Sequence, residues 1–142
     1  MGYTVTVQEV RPQWVAAARG PLPDRNVGAA MLGLLGQAWD QVKREGIKTD
    51  GQNVAIYRGR MIEAGPRVMK PGDGSVATPE GLAAMAVHMG PYERLGEAHR
   101  AIVNWCAANG HPLEGTNWEI YGHHEEDPAR RRTDVFYLLR VA

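Results

Sequence analysis

Several things are scarce in this chain. Its 142 residues include one cysteine, Cys106, and one phenylalanine, Phe136. A lone cysteine closes no internal disulfide, and a reducing cytoplasm suits it. No apolar run approaches the ~20 residues needed to span a bilayer. No charged stretch followed by an apolar core marks a signal peptide. Net charge is also missing: Lys+Arg and Asp+Glu are 16 each. That balance excludes the overall electrostatic footprint of a nucleic-acid binder. The one dense basic run, Arg130-Arg131-Arg132, closely follows Glu125-Glu126-Asp127, and the two blocks cancel in what reads as a solvated loop.

Chemical motifs are scarce too. There is no phosphate-binding loop, dinucleotide fingerprint, serine elbow or zinc-protease pattern. His123-His124 would point to opposite faces of a strand, and no second His/Cys pair stands at ligand spacing, so no metal and no cofactor is expected. Cys106 reads as inert core, His88 as a satisfied structural histidine and His99 as a boundary residue on a helix. The expectation is a single cytoplasmic domain over residues 1–142, with no membrane contact, no direct nucleic-acid binding and any protein partner unspecified.

What is present is periodic. Tyr3 to Val10 and Trp14 to Arg19 read as strands, closed by Gly20-Pro21. Val27, Met31, Leu34, Leu35, Ala38 and Val42 follow the helical period and predict a helix from Val27 to Glu45, with Asn26 as N-cap and Gly46 as terminator. Gly28, Gly33 and Gly36 would let that helix approach a sheet closely. Strands follow at Asn53 to Arg58 and Met61 to Val68, the latter interrupted by Gly65-Pro66. Residues 70–81, rich in Pro, Gly, Ser and Thr, read as a linker. Then come a strand at Leu82 to Met89, Gly90-Pro91, and a helix from Tyr92 to Asn109 with Leu95, Ala98, Ile102, Val103 and Cys106 on one side. Strands at Asn117 to Gly122 and Asp134 to Val141 complete the chain.

The order of elements repeats. A shift of 64 positions carries Gly46 to Gly110 and Tyr57 to Tyr121. It lays Gly51, Asn53, Ile56 and Tyr57 over Gly115, Asn117, Ile120 and Tyr121, with Asp50 over Glu114. The pattern predicts an α+β fold of duplicated βαββ units, about 3–69 and 82–141. These would form a pseudo-twofold, mostly antiparallel sheet with two helices on one face.

Alternation in Asn117-Trp118-Glu119-Ile120-Tyr121 places Trp118 and Ile120 on one face and Glu119 on the other, between an amide and a phenol. Val54, Ile56, Trp118 and Ile120 are expected under the helices. Asn53, Ala55, Tyr57, Asn117, Glu119 and Tyr121 are expected to face away from them. In the repeat Glu119 falls on Ala55, so the acid breaks the symmetry. Near the axis it would stand with two phenols, a plausible ligand site.

Met89-Gly90-Pro91-Tyr92, Trp105 in the helix, Gly110 and the Glu119-x-Tyr121 strand together resemble the GyrI-like small-molecule-binding domain. That domain is also the effector-binding half of some AraC-type and MerR-type regulators, and the resemblance runs from Tyr3 to Val141. It implies the same duplicated βαββ fold, with a pocket glutamate at Glu119 and pocket aromatics at Tyr92 and at either Phe136 or Tyr137. Parity alone does not choose between the last two. With Tyr3 already in the first strand, it implies a stand-alone member.

Two functions follow from the resemblance. One is a binding protein for hydrophobic, cationic aromatic ligands, held by Glu119 with Tyr121, Tyr92, Tyr57, Tyr137 and Trp39. The other is a hydrolase of cyclopropane-containing cytotoxic compounds, with Glu119 catalytic beside a pocket aromatic. An acid among rings is costly to bury unless it meets a cation. An aromatic wall adds ~0.5–2 kcal/mol per cation–π contact.

Overall fold

Alternating β-branched and aromatic residues separated by glycine and proline turns build most of the molecule as sheet. A computed structural model describes residues 2–72 and 74–141. In chain order the elements are β1 (Thr6–Val10), β2 (Trp14–Ala16), β3 (Ala18–Pro21), α1 (Val27–Glu45), β4 (Thr49–Arg58), β5 (Met61–Val68), β6 (Ser75–Ala77) and β7 (Gly81–Met89). A 3-10 turn (Tyr92–Arg94), α2 (Leu95–Ala108), β8 (Leu113–Tyr121) and β9 (Arg132–Leu139) follow. Among the described residues the nine strands form one sheet in the order β1-β7-β9-β8-β4-β5-β2-β6, with β3 also on β5. The pairings are antiparallel.

The two βαββ halves meet along β4 and β8. Their register sets Ala55 opposite Glu119, with Val54 on Ile120 and Ile56 on Trp118. Ala55 and Glu119 are also the residues the repeat superimposes, so the pseudo-twofold axis passes between them. Each half carries the same irregularity, between Thr49 and Asn53 in one and between Leu113 and Asn117 in the other. Duplication thus extends to the bulges, devices that re-aim side chains near functional sites.

The helices lie on the opposite face from the one expected. Leu34 of α1 packs with Ala55, Ile62 and Ala64. In α2, Leu95, Ala98, Ile102 and Cys106 pack on Ala84, Ala86, Val135 and Leu139. Val54, Ile56, Trp118 and Phe136 instead meet Val15, Val10 and Val76 on the far side. There the sheet's own outer strands and the chain joining β1 to β2 cover them. Alternation separates two faces but does not say which the helices take. Here they take the face of small alanines, which admits a helix backbone closely.

Other expectations also shift. Residues 70–81 contain β6, which pairs with β2. The first strand begins at Thr6, and the last spans Arg132–Leu139. Gly65-Pro66 does not interrupt β5; the break falls in its neighbour, between β2 and β3. Val103 is 37% exposed. Asn26 is left-handed (φ 57°) and caps nothing with its side chain, whereas Gly46 (φ 63°) terminates α1 as expected. Glu63, a second buried acid, is gripped by Arg58 at 2.9 Å and Arg19 at 3.1 Å.

Gly33 and Gly36 do not face the sheet, and a Cβ at either meets nothing within 4 Å. Alanine there removes unfolded-chain entropy with no native clash. Each of Gly33→Ala and Gly36→Ala should therefore add about 0.5–1 kcal/mol, read as a rise in thermal midpoint.

Candidate ligand-binding site

Glu119 sits at mid-sheet on β8, the strand beside the axis, and is 5% exposed. Strand alternation turns it toward the helices, where three donors converge on it. Tyr121, two residues along the same face, donates to Oε1 at 2.5 Å. Tyr57, its symmetry mate on β4, reaches the same oxygen at 3.4 Å. His99, projecting from α2, brings Nε2 to 2.6 Å from Oε2. Its other nitrogen, Nδ1, lies 2.7 Å from the Tyr137 hydroxyl. A carboxylate only accepts hydrogen bonds, so Nε2 carries a proton.

Above this cluster, between the N-terminal halves of α1 and α2, lies a cavity of about 640 Å³. Val27, Met31, Leu32 and Leu35 of α1 make one wall, and Leu95, Gly96 and His99 of α2 make the other. Glu119, Tyr57, Tyr121 and Asn53 form the floor, and Tyr92 and His124 also line it. Tyr92 meets Tyr121 edge-on at 5.8 Å, and the Arg131 guanidinium lies 5.3 Å from the Tyr92 ring centre. A larger cleft of about 820 Å³ runs beside β7 and the N-terminal segment. Its ionisable groups are already paired: Arg94 with Glu97, and His88 with Tyr3 and the Pro91 carbonyl.

Of the residues singled out from sequence, the structure gathers Glu119, Tyr121, Tyr57 and Tyr92 at the cavity. Tyr137 stands behind His99. The β8–β9 register settles the choice between the last-strand aromatics. Tyr137 pairs with Asn117 on the Glu119 face, while Phe136 pairs with Trp118 on the other and stacks on it at 5.0 Å. Trp39 is one layer back, donating its indole N–H to Asn53 at 2.7 Å, so it positions a floor residue and does not itself line the cavity. The side chain that sequence reasoning missed is His99. It follows Ala98 on the flank of the buried stripe of α2, and only the true face of the sheet shows where that flank leads.

Burial raises the phenols' pKa values, and the nearby Glu119 charge raises them further. Tyr137 is pushed up to about 12 and Tyr57 higher, while Tyr121 lies well above its ordinary value. All three remain O–H donors at neutral pH. At pH 11 no more than two of the five tyrosines should ionise in the folded protein, counted by phenolate absorbance. Because the folded values lie above the unfolded one, the stability they carry is intact below about pH 10 and falls as pH rises further. Chemical-denaturation midpoints should drop over that range.

Fold and site together describe a class: a duplicated βαββ sheet with an acid on the floor of an aromatic cavity between its two helices. No protein-family model matches the chain, and no curated protein matches its sequence. Solved structures do. The crystal structure of the EcmrR C-terminal domain superimposes with a TM-score of 0.80 at 21% identity, over 100% of both chains. The cryo-EM structure of EcmrR with DNA gives 0.78 at 19%, over 99% of this chain and 58% of that one. SAV2435 bound to tetraphenylphosphonium gives 0.62 at 9%, over 99% and 94%. At these identities the likeness is one of fold, and it is the fold that the GyrI-like resemblance implied. Among the described residues no helix is long and apolar enough to cross a membrane.

Proposed function

We propose that the protein binds hydrophobic organic cations in the cavity between α1 and α2, with Glu119 as the charge receptor. One contrast carries this reading. Of the two buried glutamates, Glu63 is held by two guanidinium groups, whereas the only ion-pair partner of Glu119 among the described residues is His99. A buried carboxylate without a permanent counter-charge favours a cation brought from outside. Apart from Asn53, His99 and His124, the remaining wall is apolar or phenolic. It suits a flat or bulky cation whose charge is delocalised and cheap to desolvate, with cation–π attraction from Tyr57, Tyr92 and Tyr121. A volume of about 640 Å³ falls in the range of drug-sized ligands. The tetraphenylphosphonium bound by SAV2435 supports the ligand class. Calorimetric titration with tetraphenylphosphonium is the test. Saturable 1:1 binding is expected, and its absence at neutral pH overturns the reading.

Hydrolysis of cyclopropane-bearing compounds ranks second. The Tyr137–His99–Glu119 chain of hydrogen bonds would serve a proton transfer. Against it, both oxygens of Glu119 are already engaged, which leaves little room for an activated water. Product analysis of such a compound incubated with the protein, compared with buffer, distinguishes the two.

A further inference from the structure

We propose that His99 is the resident counter-ion of the cavity, so that an organic cation binds Glu119 in place of the imidazolium charge and binding is coupled to release of one proton. This rests on the ligand reading above and adds its regulation.

The geometry is the argument. Nε2–H donates to Glu119 Oε2 in either charge state. Nδ1, 2.7 Å from the Tyr137 hydroxyl, accepts from it when the ring is neutral and donates to it when the ring is charged, because a phenol does both. The ring therefore changes charge without losing either hydrogen bond. Its side chain is 21% exposed and lines the cavity, so a ligand reaching the carboxylate must lie against it.

The ionisable groups around the ring are these. From β8 it faces Glu119 and Tyr121, from β9 Tyr137, and from β4 Tyr57. The 3-10 turn contributes Tyr92, and the loop after β8 contributes His124. The part of α1 that lines the cavity carries no charged side chain. On its own helix, Glu97 pairs with Arg94, and Arg100 is exposed.

Imidazole is the ordinary side chain that changes charge between pH 5 and 8. Where His99 is charged, an incoming cation competes with it for one carboxylate and is repelled by it. Where His99 is neutral, the carboxylate's charge is uncompensated. Linkage then makes affinity for a permanent cation rise with pH, by up to about tenfold per unit, until the imidazolium is gone.

Tetraphenylphosphonium, which does not titrate, should bind the whole chain several-fold more weakly at pH 5.5 than at pH 8.0. Calorimetry in two buffers of different ionisation enthalpy should show close to one proton released at the lower pH. His99→Gln keeps an N–H donor to Glu119 but cannot titrate, so its affinity should be level across the range. His111→Gln, at a ring stacked on Trp105 outside the cavity, should keep the wild-type profile. NMR of the ring in the wild type, which needs no variant to fold, should show the ligand moving the His99 titration to lower pH. A wild-type affinity independent of pH, or a slope that survives in His99→Gln, overturns the proposal and leaves the ligand reading standing. No binding at either pH overturns both.

Discussion

Glu119→Gln should weaken tetraphenylphosphonium binding about 30- to 150-fold while the protein stays folded. A desolvated charge pair that loses one partner forfeits about 2–3 kcal/mol or more, and each 1.4 kcal/mol is tenfold. Glutamine has the shape of glutamate, so the cavity is unchanged. Its carbonyl oxygen still accepts from Tyr121 and Tyr57. Its amide can donate to Nε2 if His99 shifts its proton to Nδ1 and donates to Tyr137. The local network thus inverts without leaving a buried group unpaired, and the thermal midpoint should stay near the wild type. Tyr121→Phe removes a donor and keeps the ring, so a smaller loss of about fivefold is expected. A neutral aromatic of similar size should bind the wild type and Glu119→Gln alike. Equal affinity of both proteins for the phosphonium would mean that charge is not what the cavity reads, and the proposed function would fall.

The duplicated fold explains why such a group can be placed there. Mid-sheet positions beside the axis come in symmetric pairs, and the partner of Glu119 is Ala55, fully buried on the facing strand. The scaffold has no structural need for an acid at that point. Symmetry also delivers Tyr57 and Tyr121 from opposite sides to the same carboxylate oxygen. The N-terminal halves of the two helices line the cavity from either side. A single substitution on one copy thus turns a packing position into a charged floor, with hydrogen-bond donors already in place.

Much of this was legible in the residues. The shift that superimposes Gly46 on Gly110 and Tyr57 on Tyr121 locates the axis from sequence alone. It named Glu119 as the asymmetric element. Other features depend on contacts that no local pattern encodes. Alternation made Trp118 and Glu119 face opposite ways, but the heavier apolar set went to the wrong layer. The far face is in fact packed by Val10 and Val15 from the sheet's own outer strands, contacts between residues far apart in the chain. His99 is hidden for the same reason: its neighbours follow the buried stripe of α2, and its partner Glu119 lies on the face that the expected arrangement turns away from the helices. Tyr137 and Phe136 could be separated only by the β8–β9 register, since a one-residue slip exchanges them.

Gly65→Ala should cost about 3 kcal/mol or more, enough to lower the thermal midpoint sharply or to prevent folding. Gly65 lies in β5, between β4 on one side and the β2–β3 strand on the other. The partners on that side run in one register, Val15 on Arg67 and Ala18 on Ala64, which sets Ala17 opposite Gly65 and Ala16 opposite Pro66. Proline has no N–H to give the ladder, and the facing strand breaks there. In place of a ladder bond the backbones press together. A Cβ on Gly65 would overlap the Ala16 carbonyl oxygen and lie 2.8 Å from its carbon and 3.1 Å from Ala17 Cα. These are backbone atoms, so no rotamer relieves the clash; the strands must separate. Gly20→Ala is the control. There the three atoms nearest a Cβ all belong to the Leu34 side chain, the closest at 3.1 Å, and that side chain can rotate away, so a cost under about 1 kcal/mol is expected. Because β5 aligns β4, which carries Tyr57 and Asn53, Gly65→Ala should also lose phosphonium binding without touching the cavity. A near-native denaturation midpoint for Gly65→Ala would show that β2–β3 does not cross β5 this closely.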